Sequence, residues 1–437
     1  MTPAARIQAT IELLTALDAT PKPADSIASA YFRNHRYIGS KDRTDIAGTF
    51  YAILRRKARL AWHIESCGVP VLPRSLLIAN ILVGECRPPE EVTGIFSGAK
   101  FAPAEMGDGE MKLLKALSGK KLVDRHMPDS VRAECPPWAE ADMRQALGKD
   151  FVPALSAMTE PAPLDLRTNT LKTTREKLLA SLRKHGIPAE ATPYSPWGLR
   201  IMGRPAVATW PEFEDGQVEI QDEGSQLIAL LVDAKPGMMV ADVCAGAGGK
   251  TLGLAATMNN KGRLIAADVL DRRLVRAKER FRRAGAFNIE TKPLKSETDP
   301  WIKHHKLSFD RVLVDAPCSG TGTWRRNPDS RWKPLGPALD EITSIQARIL
   351  ESAARLVKPG GRLVYATCSL LPRENEDQVT AFLEKNPAFT LVNTQDVWAE
   401  CPTSPHLKML PHLHKTDGFF AAVLQRAEAP EETKTKG

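Results

Sequence analysis

The sequence predicts an α/β protein whose C-terminal half is a doubly wound parallel sheet, preceded by an all-helical module and a small α+β unit. Three observations carry this. From Lys235 onward short apolar runs alternate with glycine-rich turns and helical stretches, the rhythm that builds a parallel sheet. Before about residue 145 the apolar residues recur instead at helical spacing. Between the two lies a Pro-rich stretch, Pro153 to Pro163, after which the pattern changes character.

Taken in order, the helical module is read over 1–145. Ala5 to Leu17 places Ile7, Ile11, Leu14 and Leu17 on one face, and Asp45 to Trp62 repeats the pattern. Around these stand Arg33-Asn34-His35-Arg36-Tyr37, Ser40-Lys41-Asp42-Arg43 and Arg55-Arg56-Lys57-Ala58-Arg59, basic and aromatic groups suited to phosphate contact. A solvated helix face explains any one cluster; their recurrence in one module favours RNA. The α+β unit, 146–234, opens on the strand Leu164 to Arg167. A capping box, Thr173-Thr174-Arg175-Glu176, follows and starts a helix that Gly186 closes, and Gly198 to Met202 supplies a later strand. In the sheet domain, 235–426, Met238 to Val243 is a strand, Gly246 to Gly249 a turn and Leu252 to Met258 a helix. Leu264 to Ala267, Arg311 to Asp315 and Arg362 to Ala366 are further strands. Residues 427–437 form a charged tail.

Composition narrows the class. Of 437 residues 43% are hydrophobic and 26% charged, an ordinary globular balance. No apolar run approaches the ~18 residues of a membrane span and the first residues lack a signal core, so a cytoplasmic protein without a membrane partner is expected. Lys and Arg number 60 against 52 Asp and Glu, an excess that favours a polyanionic partner. The seven cysteines are odd in number and contain no CxxC pair, so they are read as thiols rather than as a disulfide framework or a zinc site.

The run Asp242 to Thr251, DVCAGAGGKT, is tested against two phosphate-binding patterns. A P-loop needs glycine where Cys244 stands, and a dinucleotide fingerprint needs one where Thr251 stands. What remains is a tight turn after a first strand, with Asp268 ending the second. That pairing brings backbone amides and a carboxylate to a nucleoside ligand. Two further strand ends carry thiols, Cys318 within Asp315-Ala316-Pro317-Cys318 and Cys368 within Ala366-Thr367-Cys368-Ser369. One cysteine is ordinarily a small buried hydrophobe. Two in polar contexts at the carboxyl ends of strands point both sulfurs into one cleft.

These runs, with DAPCSGTGTWRRNPDSRW and YATCSLLPRENE in that order, resemble the RsmB/Nop2/Sun family of S-adenosylmethionine-dependent RNA cytosine-5 methyltransferases. Leu166 to Thr170, Gln221 to Ser225 and Asp417 to Phe420 match further family motifs, so the resemblance spans about Leu164 to Leu424. It implies a Rossmann-like methyltransferase sheet and S-adenosyl-L-methionine bound by Cys244, Ala245, Gly246, Ala247, Gly248, Gly249, Lys250, Asp268, Ser296 and Asp315. It implies Cys368 as the nucleophile and Cys318 as the thiol that assists product release. The chemistry agrees, since C5 of cytosine attacks a methyl group only after a thiolate has added at C6. Lys250 is a source of positive charge for that thiolate, and Asp315 a hydrogen-bond partner for the base. The N-terminal module, with Asp42-Arg43 and Leu54-Arg55-Arg56, looks like the NusB-like domain of members acting on 16S ribosomal RNA. A monomer is expected.

The chain departs from the family at two points. Ala247 stands where proline is usual, and Ser296 stands at the acidic position expected near adenine, with Glu297 and Asp299 as neighbours that can take its place. Two rival readings are weighed. Direct amino methylation would use an Asn/Asp-Pro-Pro-aromatic tetrapeptide where Asp315 to Cys318 stands. A non-catalytic RNA-binding assembly factor with a vestigial fold would have no need of both cysteines, Asp268 and Asp315.

Overall fold

The computed structural model describes residues 1–203, 205–333 and 336–429; most of the expected charged tail, from 430 on, lies outside the described residues. The chain divides into two compact units, one of Met1–Pro161 with Trp324–Gly336, the other of Ala162–Thr323 with Pro337–Gly437.

The first unit is helical. Its opening helix, Pro3–Asp18, starts where the Thr2 hydroxyl accepts the Ala5 N–H at 3.2 Å and proline fills the first turn. Ile7, Ile11, Leu14 and Leu17 are buried along it as the spacing requires. The continuous pattern read over Asp45 to Trp62 is instead two helices, Ser40–Arg55 and Lys57–Ser66, broken at Arg56. The buried Glu134 explains the break: its carboxylate accepts Ala58 N–H at 2.7 Å and Arg59 N–H at 3.1 Å, capping the second helix, and pairs with Arg59 Nε at 2.7 Å. Burial nonetheless pushes that carboxyl above its usual range. Arg56 donates to Gly84 O and Asn80 Oδ1. Two arginines of the third basic cluster are thus engaged within the unit, whereas Arg33, Arg36 and Tyr37 of the first remain exposed.

The unit runs past residue 145 through the helix Phe151–Ala157 and takes in the second half of the DAPCSGTGTWRRNPDSRW run. Trp324 and Arg331 are fully buried, the guanidinium 4.9 Å from the indole and donating to Glu134 O and Met158 O. Trp332 Nε1 donates to Leu54 O at 2.8 Å, and Asp329 accepts Ala24 N–H at 2.8 Å. A chain cut at 145 would strip this segment of the helices it packs in.

The second unit holds two sheets. The smaller comprises β1 (Leu164–Thr168), β2 (Ala189–Ala191), β3 (Gly198–Ile201) and β4 (Val218–Ile220), all antiparallel in the order β2-β3-β1-β4. The helix Arg175–Lys184 packs Leu178 and Leu182 against Leu166, Leu199 and Val218. Its N-cap is Thr174, one residue later than the box starting at Thr173, and Thr174 Oγ1 accepts Lys177 N–H. Gly186, at φ +70°, closes it through a bond from Ile187 N to Leu182 O.

The larger sheet contains β5 (Met239–Asp242), β6 (Arg263–Asp268), β7 (Ile289–Pro293), β8 (Phe309–Asp315) and β9 (Val357–Thr367), then β10 (Phe389–Val392), β11 (Leu407–Met409) and β12 (Phe419–Arg426). Their order is β10-β12-β9-β8-β5-β6-β7, with β11 on β12. The strands from β7 to β9 are parallel and β5, β6 and β8 are near-continuous apolar runs, because helices cover both faces. The doubly wound sheet is as expected and carries one antiparallel strand, β12, which pairs with both β9 and β10. From β5 the chain passes first to β6 and later to β8 on the other side, so a crevice opens at the carboxyl end of β5.

Candidate active site

Four strand ends meet at that crevice: Asp242 closes β5, Asp268 β6 and Asp315 β8, while Cys368 follows β9. A cavity of about 640 Å³ opens there, within the range of a small-ligand site.

At one end the turn after β5 is ordered by a single carboxylate. Asp268 accepts Gly246 N–H at 2.8 Å on one oxygen and Leu270 N–H at 2.7 Å on the other. Cys244, Ala245, Gly246, Ala247 and Gly249 line the cavity, whereas Gly248 does not. Gly248 is required by packing: at φ +79° its added Cβ would lie 2.4 Å from the Phe281 ring. Burial pushes the Cys244 thiol well above the usual range, which leaves it an uncharged wall group. Ser296 is also absent from the lining and bonds Thr298 Oγ1 instead. Of the two acidic neighbours, Glu297 lines the cavity and pairs with Arg348 at 2.6 Å, while Asp299 caps the helix Pro300–His304 through Trp301 N–H. Of these three residues, Glu297 alone lines the cavity.

At the other end Cys318 and Cys368 lie with sulfurs 3.3 Å apart, both as free thiols and both lining the cavity. The contact with Cys368, then burial, then the Glu374 carboxylate push the Cys318 thiol well above its usual range, so it holds its proton. Lys250 donates to Asp315 at 2.6 Å, and its ammonium sits 5.7 Å from the Phe419 ring. Burial opposes its charge, but Asp315, with help from Cys368 and Asp242, outweighs burial and raises its pKa. Lys250 is thus a retained cation held by Asp315. The loops interlock: Gly322 N–H donates to Cys368 O at 2.9 Å and Gly418 N–H to Gly322 O at 2.8 Å, an approach a Cβ on either glycine would block.

Several contributors carry no motif signal in the sequence. Glu374, in the YATCSLLPRENE run, is fully buried and accepts from Ser319, Ser369 and Gln346. In sequence it is one of four charged residues among Arg373, Glu374, Glu376 and Asp377, and burial alone distinguishes it. Val269, Leu270, Leu294, Ile302 and Ile349 give the cavity an apolar slot beside Asp268.

The family profile described as 16S rRNA methyltransferase RsmB/F matches residues 229–425, and one described as the RsmF/B-like ferredoxin-like domain matches 135–208. A probable ribosomal RNA small subunit methyltransferase B of Synechocystis is 32% identical over 414 residues, covering 89% of this chain and 92% of the relative. Ribosomal RNA small subunit methyltransferase B of Serratia proteamaculans is 35% identical over 306 residues, 70% of this chain and 69% of the relative. Among solved structures, a methyltransferase homolog protein from Pyrococcus horikoshii is similar at 29% identity and a TM-score of 0.58, over 68% of this chain and 97% of that one. The sheet order, the paired thiols and these matches agree, and the chain belongs to the RsmB/F family of ribosomal RNA methyltransferases.

Proposed function

We propose that this enzyme transfers a methyl group from S-adenosylmethionine to C5 of a cytosine in 16S ribosomal RNA, through a covalent bond between Cys368 and C6. The single observation that carries the reading is the pair of thiols 3.3 Å apart in the same cavity as the Asp268 turn.

The residues present fit the cofactor. Two buried oxygens that line the cavity, Asp242 Oδ1 and Gln221 Oε1, have no hydrogen-bond partner among the described residues, and such acceptors call for a ligand's donors. In this reading Asp268 would accept from the ribose hydroxyls, the apolar residues would hold the adenine, and Glu297 would accept from its exocyclic amine. When bound, S-adenosylmethionine supplies an electrophilic methyl group on a sulfonium.

Cys368 adds its sulfur to C6 as the thiolate, and the ring electrons gather on C5. Asp315 accepts a hydrogen bond from the exocyclic amine or a protonated N3, stabilising the ring under attack, while Lys250 holds positive charge beside the incoming thiolate. After the transfer the C5 proton passes to water, its bonding electrons form the C5=C6 double bond, and the C6–S bond breaks with its electrons on the Cys368 sulfur. Cys318, which keeps its proton, assists that release by donating a hydrogen bond to the departing thiolate. The reading takes the enzyme to act as a monomer, in the cytoplasm where its substrate is made. The exposed Arg33, Arg36 and Tyr37 contribute phosphate and base contacts.

The direct test is a bisulfite map of ribosomal RNA from cells lacking the protein. Loss of one protected cytosine, restored by the wild-type chain, is the expected result. An unchanged map, with a methylated amino group missing instead, would overturn cytosine-5 chemistry.

A further inference from the structure

We propose that Glu374 is the positioning residue of the thiol pair: its carboxylate ties the loop after β8 to the loop after β9 and so holds Cys318 against Cys368. The inference rests on the covalent reading above, in which both sulfurs must serve one C6.

Glu374 has none of its surface exposed, and a buried carboxylate is tolerated only when donors surround it. One oxygen accepts the hydroxyls of both Ser319 and Ser369. The other accepts Ser319 N–H at 2.8 Å and Gln346 Nε2 at 3.0 Å. Each serine directly follows one of the cysteines, so a single side chain grips the residue beyond each sulfur. Gln346, on the helix Leu339–Ala354, donates its second hydrogen to Pro317 O at 2.9 Å, which fixes the residue before Cys318. Around Cys368 the next residue completes the frame: Asn375 accepts the Thr367 hydroxyl at 2.6 Å and donates to Ser369 O at 3.0 Å. Both thiols are therefore bracketed on either side by bonds that lead to Glu374 or its neighbour.

The same carboxylate adds negative potential at Cys318, which helps that thiol keep its proton.

The test uses two full-length variants, Glu374→Gln and the double variant Ser319→Ala/Ser369→Ala. The second keeps the carboxylate but removes both hydroxyl bridges, and it carries the test if the first does not fold. Stabilisation by S-adenosylhomocysteine reports that each has folded. The first readout is independent of catalysis: with diamide, the two thiols give up two protons and two electrons to the reagent and close a Cys318–Cys368 disulfide, scored by mass spectrometry. Wild type should close it fast, and both variants several-fold more slowly. The second readout is turnover, where kcat should fall about 100-fold, as a misplaced reacting group does, with KM for cofactor and RNA unchanged. Wild-type disulfide closure and wild-type kcat in both variants would overturn the proposal. Slow closure with unimpaired kcat would support the positioning role and reject covalent catalysis by the pair.

Discussion

At one end of the cavity a single carboxylate, Asp268, orders a turn through two backbone N–H groups, whereas at the other end side chains from three separate segments converge on Glu374 to hold two thiols. The first is short-range in design: the turn and Asp268 sit on adjacent parallel strands, and the bonding partners are main chain. The second is long-range, since Cys318 and Cys368 stand 50 residues apart and Gln346 lies between them in sequence. Backbone sites tolerate changes of side chain, as Ala247 shows where the family usually has proline. Side-chain sites do not, because every member there satisfies another.

The largest effect should appear at the thiol end. Cys368→Ala removes the attacking sulfur, so it should bind RNA and cofactor yet give neither product nor covalent adduct. Cys318→Ala should still attack and methylate, then stall with RNA attached through Cys368. A denaturing gel after incubation with RNA and S-adenosylmethionine separates the two, because only a covalent complex is retarded. A retarded band from Cys368→Ala and none from Cys318→Ala would exchange the roles; none from either, with turnover intact, would reject covalent catalysis.

The same contrast governs what could be read from the chain. The turn, Asp268 and both strand-end cysteines were legible because strand alternation places them at one edge of the sheet, and local sequence decides that alternation. The helix break at Arg56 was not, since apolar spacing runs unbroken through it and the cause, the Glu134 cap, lies more than 70 residues away. Glu374 was hidden for the same reason, and so was the membership of Trp324–Gly336 in the helical unit. Ser296 raises a different point: a gapless count picks it, yet its neighbour Glu297 lines the cavity, and in an irregular loop only coordinates decide which neighbour turns inward.

A second, smaller effect should fall on stability at the turn. Gly248→Ala puts a Cβ into the Phe281 ring and holds alanine at positive φ. A loss of about 2–5 kcal/mol is expected from a left-handed cost of ~1–2 and overpacking of ~1–3. Urea unfolding of wild type and variant measures it, and equal midpoints would mean that the helix beneath shifts freely. Asp268→Ala should then weaken S-adenosylhomocysteine binding by about 1–3 kcal/mol, since two N–H groups lose their acceptor. Calorimetry measures that, and closure of the Cys318–Cys368 disulfide by diamide should be unchanged. Slower closure would show that the two ends are not independent.

A further effect is a pH dependence at the strand end beneath the turn. Asp242 closes β5 beneath the turn, its carboxylate accepting the Thr251 hydroxyl at 2.7 Å. Burial pushes its carboxyl from 3.8 up to about 7; Asp315 and Asp268 push the same way, and Thr251 and Lys250 oppose. A raised acid means that the folded protein keeps a proton the unfolded chain has already released between about pH 4 and 7. The contribution of this group to stability is therefore full below pH 4 and is lost as pH rises towards 7. Asp242→Asn keeps the shape and cannot titrate, so its urea midpoint should fall less than that of wild type between pH 5 and 7. Cys318→Ser should leave the wild-type slope untouched, because the Cys318 thiol is pushed up in the fold and a free cysteine in the unfolded chain titrates near ~8.5, so neither state changes charge in this window. Parallel slopes for wild type and Asp242→Asn would show that Asp242 is ionised in the folded protein. The acceptor it offers the cofactor would then be a full carboxylate rather than one that titrates near neutrality.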